Sequence, residues 1–157
     1  SSPCGYCVDS VGGVMKIRNL DHKDHWATPK DFYDKLNEEF CFDFDPCPLH
    51  ADFDGLDPSF IWRGESIFIN PPYSQKLKES FVQRALEESK KGKTCVLLLP
   101  VSTSTKLFHE VILPNAKEIR FIKGRLKFEG INTKGELVSN KVGMHDSMVV
   151  VFKTGEQ

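Results

Sequence analysis

The chain of 157 residues contains no apolar run approaching the length of a membrane span, and it does not open on a signal-peptide pattern. These absences predict a protein that is neither membrane-embedded nor secreted and that works inside the cell, in cytoplasm or nucleus. Strong charge of either sign is missing too. The formal net charge is −1, which argues against generalised polyanion binding and confines any nucleic-acid surface to a local patch. Cys4 and Cys7 form a Cys-x-x-Cys pair, but no second pair stands at zinc-ligand spacing, and neither His109 nor His145 has partners at metal spacing. No metal centre is expected. There is no internal repeat or low-complexity tract, which excludes a repeat architecture. The five cysteines are an odd number. Cys41, Cys47 and Cys95 sit in or beside apolar segments, as reduced core thiols do.

What is present suits one domain with a real core. Residues 1–14 read as a disordered leader, either foreign to the folded unit or an upstream extension, with a single domain over residues 15–157. Thr28 suits a helix N-cap and Pro29 a first helical residue; Phe32, Tyr33, Leu36 and Phe40 then mark one face of a helix to about residue 40. Residues 41–45 read as a strand ending at Asp45-Pro46, and residues 47–65, rich in Asp, Pro and Gly, as loop. Leu77, Phe81, Ala85 and Leu86 stripe a helix that ends near Gly92. Residues 94–99 form an unbroken apolar strand suited to the middle of a parallel sheet. A helix over 103–113 and a strand over 117–122 follow, and the segments 124–129 and 147–152 are expected to pair antiparallel at the sheet edge. This order predicts a three-layer α/β sandwich.

The most informative segment is Ser66-Ile67-Phe68-Ile69-Asn70-Pro71-Pro72-Tyr73. Its apolar half suits a buried strand. The two prolines then stop the ladder, because neither donates a backbone N–H. Pro71 also biases Asn70 towards an extended conformation. Asn70 and the Pro71 carbonyl are thereby held at the carboxyl end of a strand, where open α/β sheets bind ligands. Two acceptors beside an aromatic ring suit the exocyclic amine of a flat base. Such an amine is a poor nucleophile, since its lone pair is delocalised into the ring. Asn70 Oδ1 and the Pro71 carbonyl can each accept one amine hydrogen, which favours a pyramidal nitrogen. Tyr73 is placed to stack on a base flipped out of its helix. An electrophilic methyl held in line would complete the arrangement.

At these residues the chain resembles the amino-methyltransferases, whose Asp/Asn-Pro-Pro-Tyr/Phe motif ends a strand beside S-adenosylmethionine. Trp26-Ala27-Thr28-Pro29, Phe42 to Pro46, Asp54-Gly55-Leu56, Asn70 to Tyr73, Leu98-Leu99-Pro100 and Gly124 to Phe128 follow one another as in the small phage-type DNA N-6-adenine-methyltransferases. The resemblance covers roughly residues 24–152. It implies an abbreviated Rossmann-like fold with a mixed sheet (parallel core, antiparallel edge), S-adenosyl-L-methionine as cofactor, DNA as substrate, and transfer to adenine N6. It further implies that Thr28 and Pro29 contact the cofactor and that Asp45, with Pro46, lies beside its methionine ammonium. Asp54 is a candidate for the ribose hydroxyls or a plain turn residue; Trp26 lines the pocket or packs against Phe42. The glycine-rich turn of the larger enzymes is absent after Asp45. Only about two dozen residues separate Asp45 from Asn70, too few for two further strand–helix units. Residues 47–65 should form an irregular wall of the pocket. Methylation of cytosine N4, an RNA adenine or a glutamine side chain, and a non-catalytic nucleic-acid-binding subunit, remain the alternatives.

The candidate nucleic-acid surface is local. Lys117, Arg120, Lys123, Arg125 and Lys127 crowd together, with Arg125 and Lys127 on one face if the segment is a strand. The loop after them adds Lys134, Asn140, Lys141 and His145, while Ser74, Gln75, Lys76 and Lys78 follow the proline corner. A solvated charged edge is the plainer reading. No segment is large enough for a separate target-recognition domain, so short loops, a homodimer or a partner subunit would supply specificity.

Overall fold

The computed structural model describes residues 26–48, 51–131, 137–139 and 145–154. The leader 1–14 with Cys4 and Cys7, together with Lys134, Asn140 and Lys141, lies outside the described residues.

Helix α1 (Lys30–Phe40) begins one residue later than the sequence suggests. Pro29 occupies the N-cap position with φ −56° and ψ 134°, and its carbonyl accepts the Tyr33 N–H at 3.0 Å. The Thr28 hydroxyl caps nothing; it is used at the site described below. Cys41, at φ 52°, ends the helix in the left-handed region. Asn37 Oδ1 then accepts the Phe42 N–H at 2.8 Å and steers the chain onward. The expected strand over 41–45 is reduced to a short parallel pairing. Phe44 lies opposite Ile67, with Asp43 N–H donating to the Ser66 carbonyl and Phe68 N–H to the Phe44 carbonyl. Residues 42–45 nevertheless run beside the first strand in its own direction.

Strand β1 (Ser66–Ile69) leads into helix α2 (Gln75–Ser89), strand β2 (Thr94–Pro100), a π-helical segment (Leu107–Ile112) continued by α3 (Leu113–Asn115), and strand β3 (Glu118–Phe121). Strands β4 (Glu129–Ile131) and β5 (Leu137–Ser139) form a separate ribbon, and β6 (Ser147–Lys153) closes the described chain. The main sheet has the order β1-β2-β6-β3; β1 and β2 are parallel, and β6 runs antiparallel to both its neighbours. The mixed sheet is the one expected, but β2 is not in the middle of a parallel sheet, since it has parallel β1 on one side and antiparallel β6 on the other. One expected pairing is also absent. Residues 124–128 are not a strand and do not pair with β6. The reason lies in the side chains: Met148 to Phe152 are all buried, so β6 needs cover on both faces and takes an interior place. Gly124 at φ 79° turns the other segment out of the sheet, leaving Arg125 and Lys127 exposed.

Alternation along the strands divides the core into two layers. Ile67, Ile69, Cys95, Leu97, Leu99, Met148 and Val150 face α2 and the π-helical segment. Phe68, Val96, Leu98, Val149 and Val151 face Leu36 of α1, together with Phe42 and Phe128. The result is the three-layer sandwich, with β1, β2 and the 42–45 segment all ending at one edge. Cys47 and Cys95 are buried outside any disulfide, as expected, whereas Cys41 is disulfide-bonded, which corrects the reading of it as a reduced core thiol. No helix among the described residues is long and apolar enough to cross a membrane.

Candidate active site

The edge where the parallel segments end brings Asp45-Pro46 and Asn70-Pro71-Pro72-Tyr73 together. Asn70 is the first residue past β1 and is buried, with 7% of its surface exposed. Its Nδ2 donates to the Trp26 carbonyl at 2.8 Å and to Thr28 Oγ1 at 3.0 Å. A carbonyl can only accept, so the Trp26 contact fixes which way the amide points. Oδ1 therefore faces away from Trp26, and no hydrogen bond among the described residues uses it. The Pro71 carbonyl is likewise engaged by no described backbone N–H. The corner thus presents two acceptors, one of them locked by a tether to residues more than forty positions earlier. Pro71 and Pro72 are both buried.

Trp26 contributes through its backbone as well as its ring. Its side chain is partly buried against the layer that contains Phe42, the packing alternative, while its carbonyl orients Asn70. Thr28 is itself one end of this tether, and Pro29 follows it as the N-cap of α1.

Asp45 is turned back on its own chain, with Oδ1 accepting the Cys47 N–H at 2.8 Å. The residue is half-buried, but its carboxyl group is withdrawn from water. Desolvation pushes its pKa up to about 7, against a smaller opposing effect of the Cys47 N–H. Pro46 is buried, and the Asp54-Gly55 turn presses directly on it: a Cβ at Gly55 would lie 2.0 Å from the Pro46 carbonyl oxygen. Asp54 Oδ1 caps this turn through the Leu56 N–H at 3.0 Å, so the turn role of Asp54 is real. The buried Trp62 pins the same turn by donating Nε1–H to the Gly55 carbonyl at 2.8 Å, and Arg84 stacks over its ring at 4.8 Å. Residues 51–65 do form an irregular wall, and aromatic packing among Phe44, Phe53 and Phe60 fixes it against the sheet.

Tyr73 meets Phe128 edge-on at 6.3 Å and His145 at 4.9 Å between ring centroids. Its hydroxyl is buried without a hydrogen-bond partner, and burial pushes its pKa up to about 12. Sequence reasoning placed Tyr73 but missed its neighbours. Phe128 lies in the quoted Gly124-to-Phe128 segment and could have been found there; nothing in the sequence ties His145 to Tyr73.

The contact with Phe128 also carries the basic segment to the corner. Lys123, Arg125 and Lys127 are exposed, and Phe128 is buried. The alternation expected of a strand thus survives in an irregular segment. Arg125 Nε lies 3.3 Å from Asp146 Oδ1, an exposed pair. Ser74 occupies the N-cap position of α2 and Lys76 is exposed in its first turn. Arg120 does not belong with them. Its guanidinium is held by Glu39 at 2.6 Å and Glu118 at 2.7 Å, and these carboxylates raise its pKa further. Among the described residues no group of three or more His, Cys, Asp and Glu side chains is placed to hold a metal.

Comparison with known proteins identifies the family. The family profile described as DNA N-6-adenine-methyltransferase (Dam) matches residues 17–157. A DNA N-6-adenine-methyltransferase of Haemophilus phage HP1 (strain HP1c1) is 34% identical over 143 residues, covering 83% of this chain and 79% of the relative. Asn70, Asp45 and the wall that Gly55 anchors all lie within the matched region. The chain belongs to the DNA N-6-adenine-methyltransferase family.

Proposed function

We propose that this DNA adenine-N6 methyltransferase uses S-adenosylmethionine and takes its target base, flipped from the duplex, against Asn70-Pro71-Pro72-Tyr73. The observation that carries the reading is the amide orientation of Asn70. With Nδ2 committed to Trp26 and Thr28, Oδ1 can only accept, which is what an amine donor requires. The Pro71 carbonyl takes the second amine hydrogen. Together they draw the nitrogen towards a pyramidal geometry and direct its lone pair at the incoming methyl. Because the acceptors are already oriented, no reorganisation is needed at the moment of reaction. Asn70 is no base; the product amine loses its extra proton to water. Tyr73, alongside Phe128 and His145, supplies the aromatic surface on which the base stacks.

The residues present fit the cofactor. Asp45 offers a carboxylate stripped of water, and such a group is costly until a cation joins it. The methionine ammonium is a cation of the right kind. Thr28, Pro29 and Pro46 would help to hold the cofactor, and Asp54 would be a candidate for its ribose hydroxyls. When bound, the cofactor supplies the electrophilic methyl on its sulfonium. Ser74, Lys76, Lys123, Arg125 and Lys127 hold phosphates on either side of the flipped nucleotide. Short loops, a second copy of the chain or a partner subunit supply sequence preference.

The test is methylation of mixed-sequence DNA and RNA, followed by nucleoside mass spectrometry. N6-methyladenine from DNA is the expected product. Product confined to N4-methylcytosine or to RNA would replace the target, and absence of product with intact cofactor binding would point to a non-catalytic subunit.

A further inference from the structure

Ser147, the first residue of β6, carries a hydroxyl that no part of the mechanism above uses. The residue is 1% exposed and its Oγ has no hydrogen-bond partner. Backbone bonds around it are made normally: its carbonyl accepts the Ile122 N–H at 3.0 Å. The unused hydroxyl is therefore specific to the side chain. Burying a hydroxyl without a partner costs about 1–3 kcal/mol, and an alanine there would carry no such cost.

Its position relates it to the catalytic corner. Ser147 lies opposite Pro100, at the end of β2, so it sits at the same edge of the sheet as Asn70. Side chains alternate along a strand. Ile69 and Met148 face the α2 side, so their neighbours Asn70 and Ser147 both project to the other face, the side of Phe128. One strand, β2, separates β1 from β6. By register Asn70 falls level with Leu98 and Val149, two residues short of Ser147. Two inter-strand spacings and two residues of strand thus put the two backbones about 12 Å apart, a span for one planar base hydrogen-bonded at both ends. The aromatic cluster of Tyr73, Phe128 and His145 includes the residue two positions before Ser147, and among the described residues the other buried hydroxyl without a partner is that of Tyr73.

We infer that Ser147 is a substrate-binding residue whose Oγ–H donates to a ring nitrogen of the target base while Asn70 and Pro71 hold its amine. This rests on the proposed base pocket and adds the contact that fixes the ring within it. An amine held by two acceptors alone can still pivot; a third hydrogen bond to the ring sets the angle at which the nitrogen meets the methyl.

The experiment compares wild type with Ser147→Ala on an adenine-containing duplex, reading kcat/KM, cofactor affinity and Tm. The expected result is a loss of about tenfold or more in kcat/KM with cofactor affinity within twofold and Tm unchanged or raised. A kcat/KM within twofold of wild type would overturn the inference. Duplexes carrying 1-, 3- or 7-deazaadenine at the target keep the result interpretable if the variant is less stable. One of the three should slow wild type by a similar factor and slow Ser147→Ala no further. If all three penalties are undiminished in the variant, Ser147 touches no ring nitrogen. Wild type that fails to methylate the parent duplex would instead remove the base pocket itself, a separate outcome.

Discussion

Replacing Asp45 with Asn separates the cost of the site from its use. Asn keeps an oxygen for the Cys47 N–H bond but removes the charge. In the folded protein desolvation raises the Asp45 pKa from 3.8 to about 7. A raised carboxyl pKa means that the folded state binds a proton the unfolded state has released. Stability from this group is therefore full below about pH 4, declines as pH rises, and is lost above pH 7. Three pK units correspond to a ceiling of about 4 kcal/mol, reduced because the residue keeps part of its surface in water. Asp45→Asn should thus be more stable than wild type by roughly 1–3 kcal/mol at pH 8, with no gain at pH 4. Urea unfolding across that range measures it. Cofactor affinity should move the other way. Only ionised Asp45 pairs with an ammonium, so wild-type affinity should fall about tenfold per unit between pH 7 and pH 5. The variant should bind at least tenfold more weakly at pH 7.5 and lack that slope. A variant destabilised at pH 8, or a wild type whose affinity is flat with pH, would refute the reasoning.

Gly55→Ala drives a Cβ into the Pro46 carbonyl; overpacking of this kind costs roughly 1–3 kcal/mol, and calorimetry should show weaker cofactor binding alongside a lower Tm. Tyr73→Ala should raise KM for DNA roughly ten- to a hundredfold, from a stacking loss of about 1–3 kcal/mol, with cofactor affinity unchanged in titration. Arg125→Ala/Lys127→Ala should weaken DNA binding across all sequences and flatten the slope of log affinity against log salt by about 0.9 per lost phosphate contact. An unchanged slope in the folded double variant returns both residues to a solvated surface.

The sheet and its flanking helices were legible because their sequences carry clean periods: β1, β2 and β6 are apolar blocks, and α2 shows a regular stripe. The mixed sheet followed from that order. Local chemistry was less legible where a long-range contact overrides it. Thr28 has the composition of an N-cap, yet its hydroxyl serves Asn70, because a buried amide with two N–H groups needs two acceptors. Residues 124–128 alternate like a strand, but the ladder they would join is already filled by β3 and β2. The corner at Asn70 was readable because proline limits the backbone to few conformations. The aromatic neighbours of Tyr73 and the idle hydroxyl of Ser147 were not, since both depend on which side chains the topology brings to one face.

The central claim is that Asn70 Oδ1 accepts the amine of the target adenine in the transition state, and single-turnover methylation by Asn70→Ala tests it most directly. Removing such an acceptor should slow methyl transfer on the order of 10²–10³-fold. Because the same side chain tethers Thr28, cofactor affinity should fall as well, but by less than about tenfold, the equivalent of one ordinary hydrogen bond. Transfer within threefold of wild type, or a loss that saturating cofactor restores in full, would contradict the account.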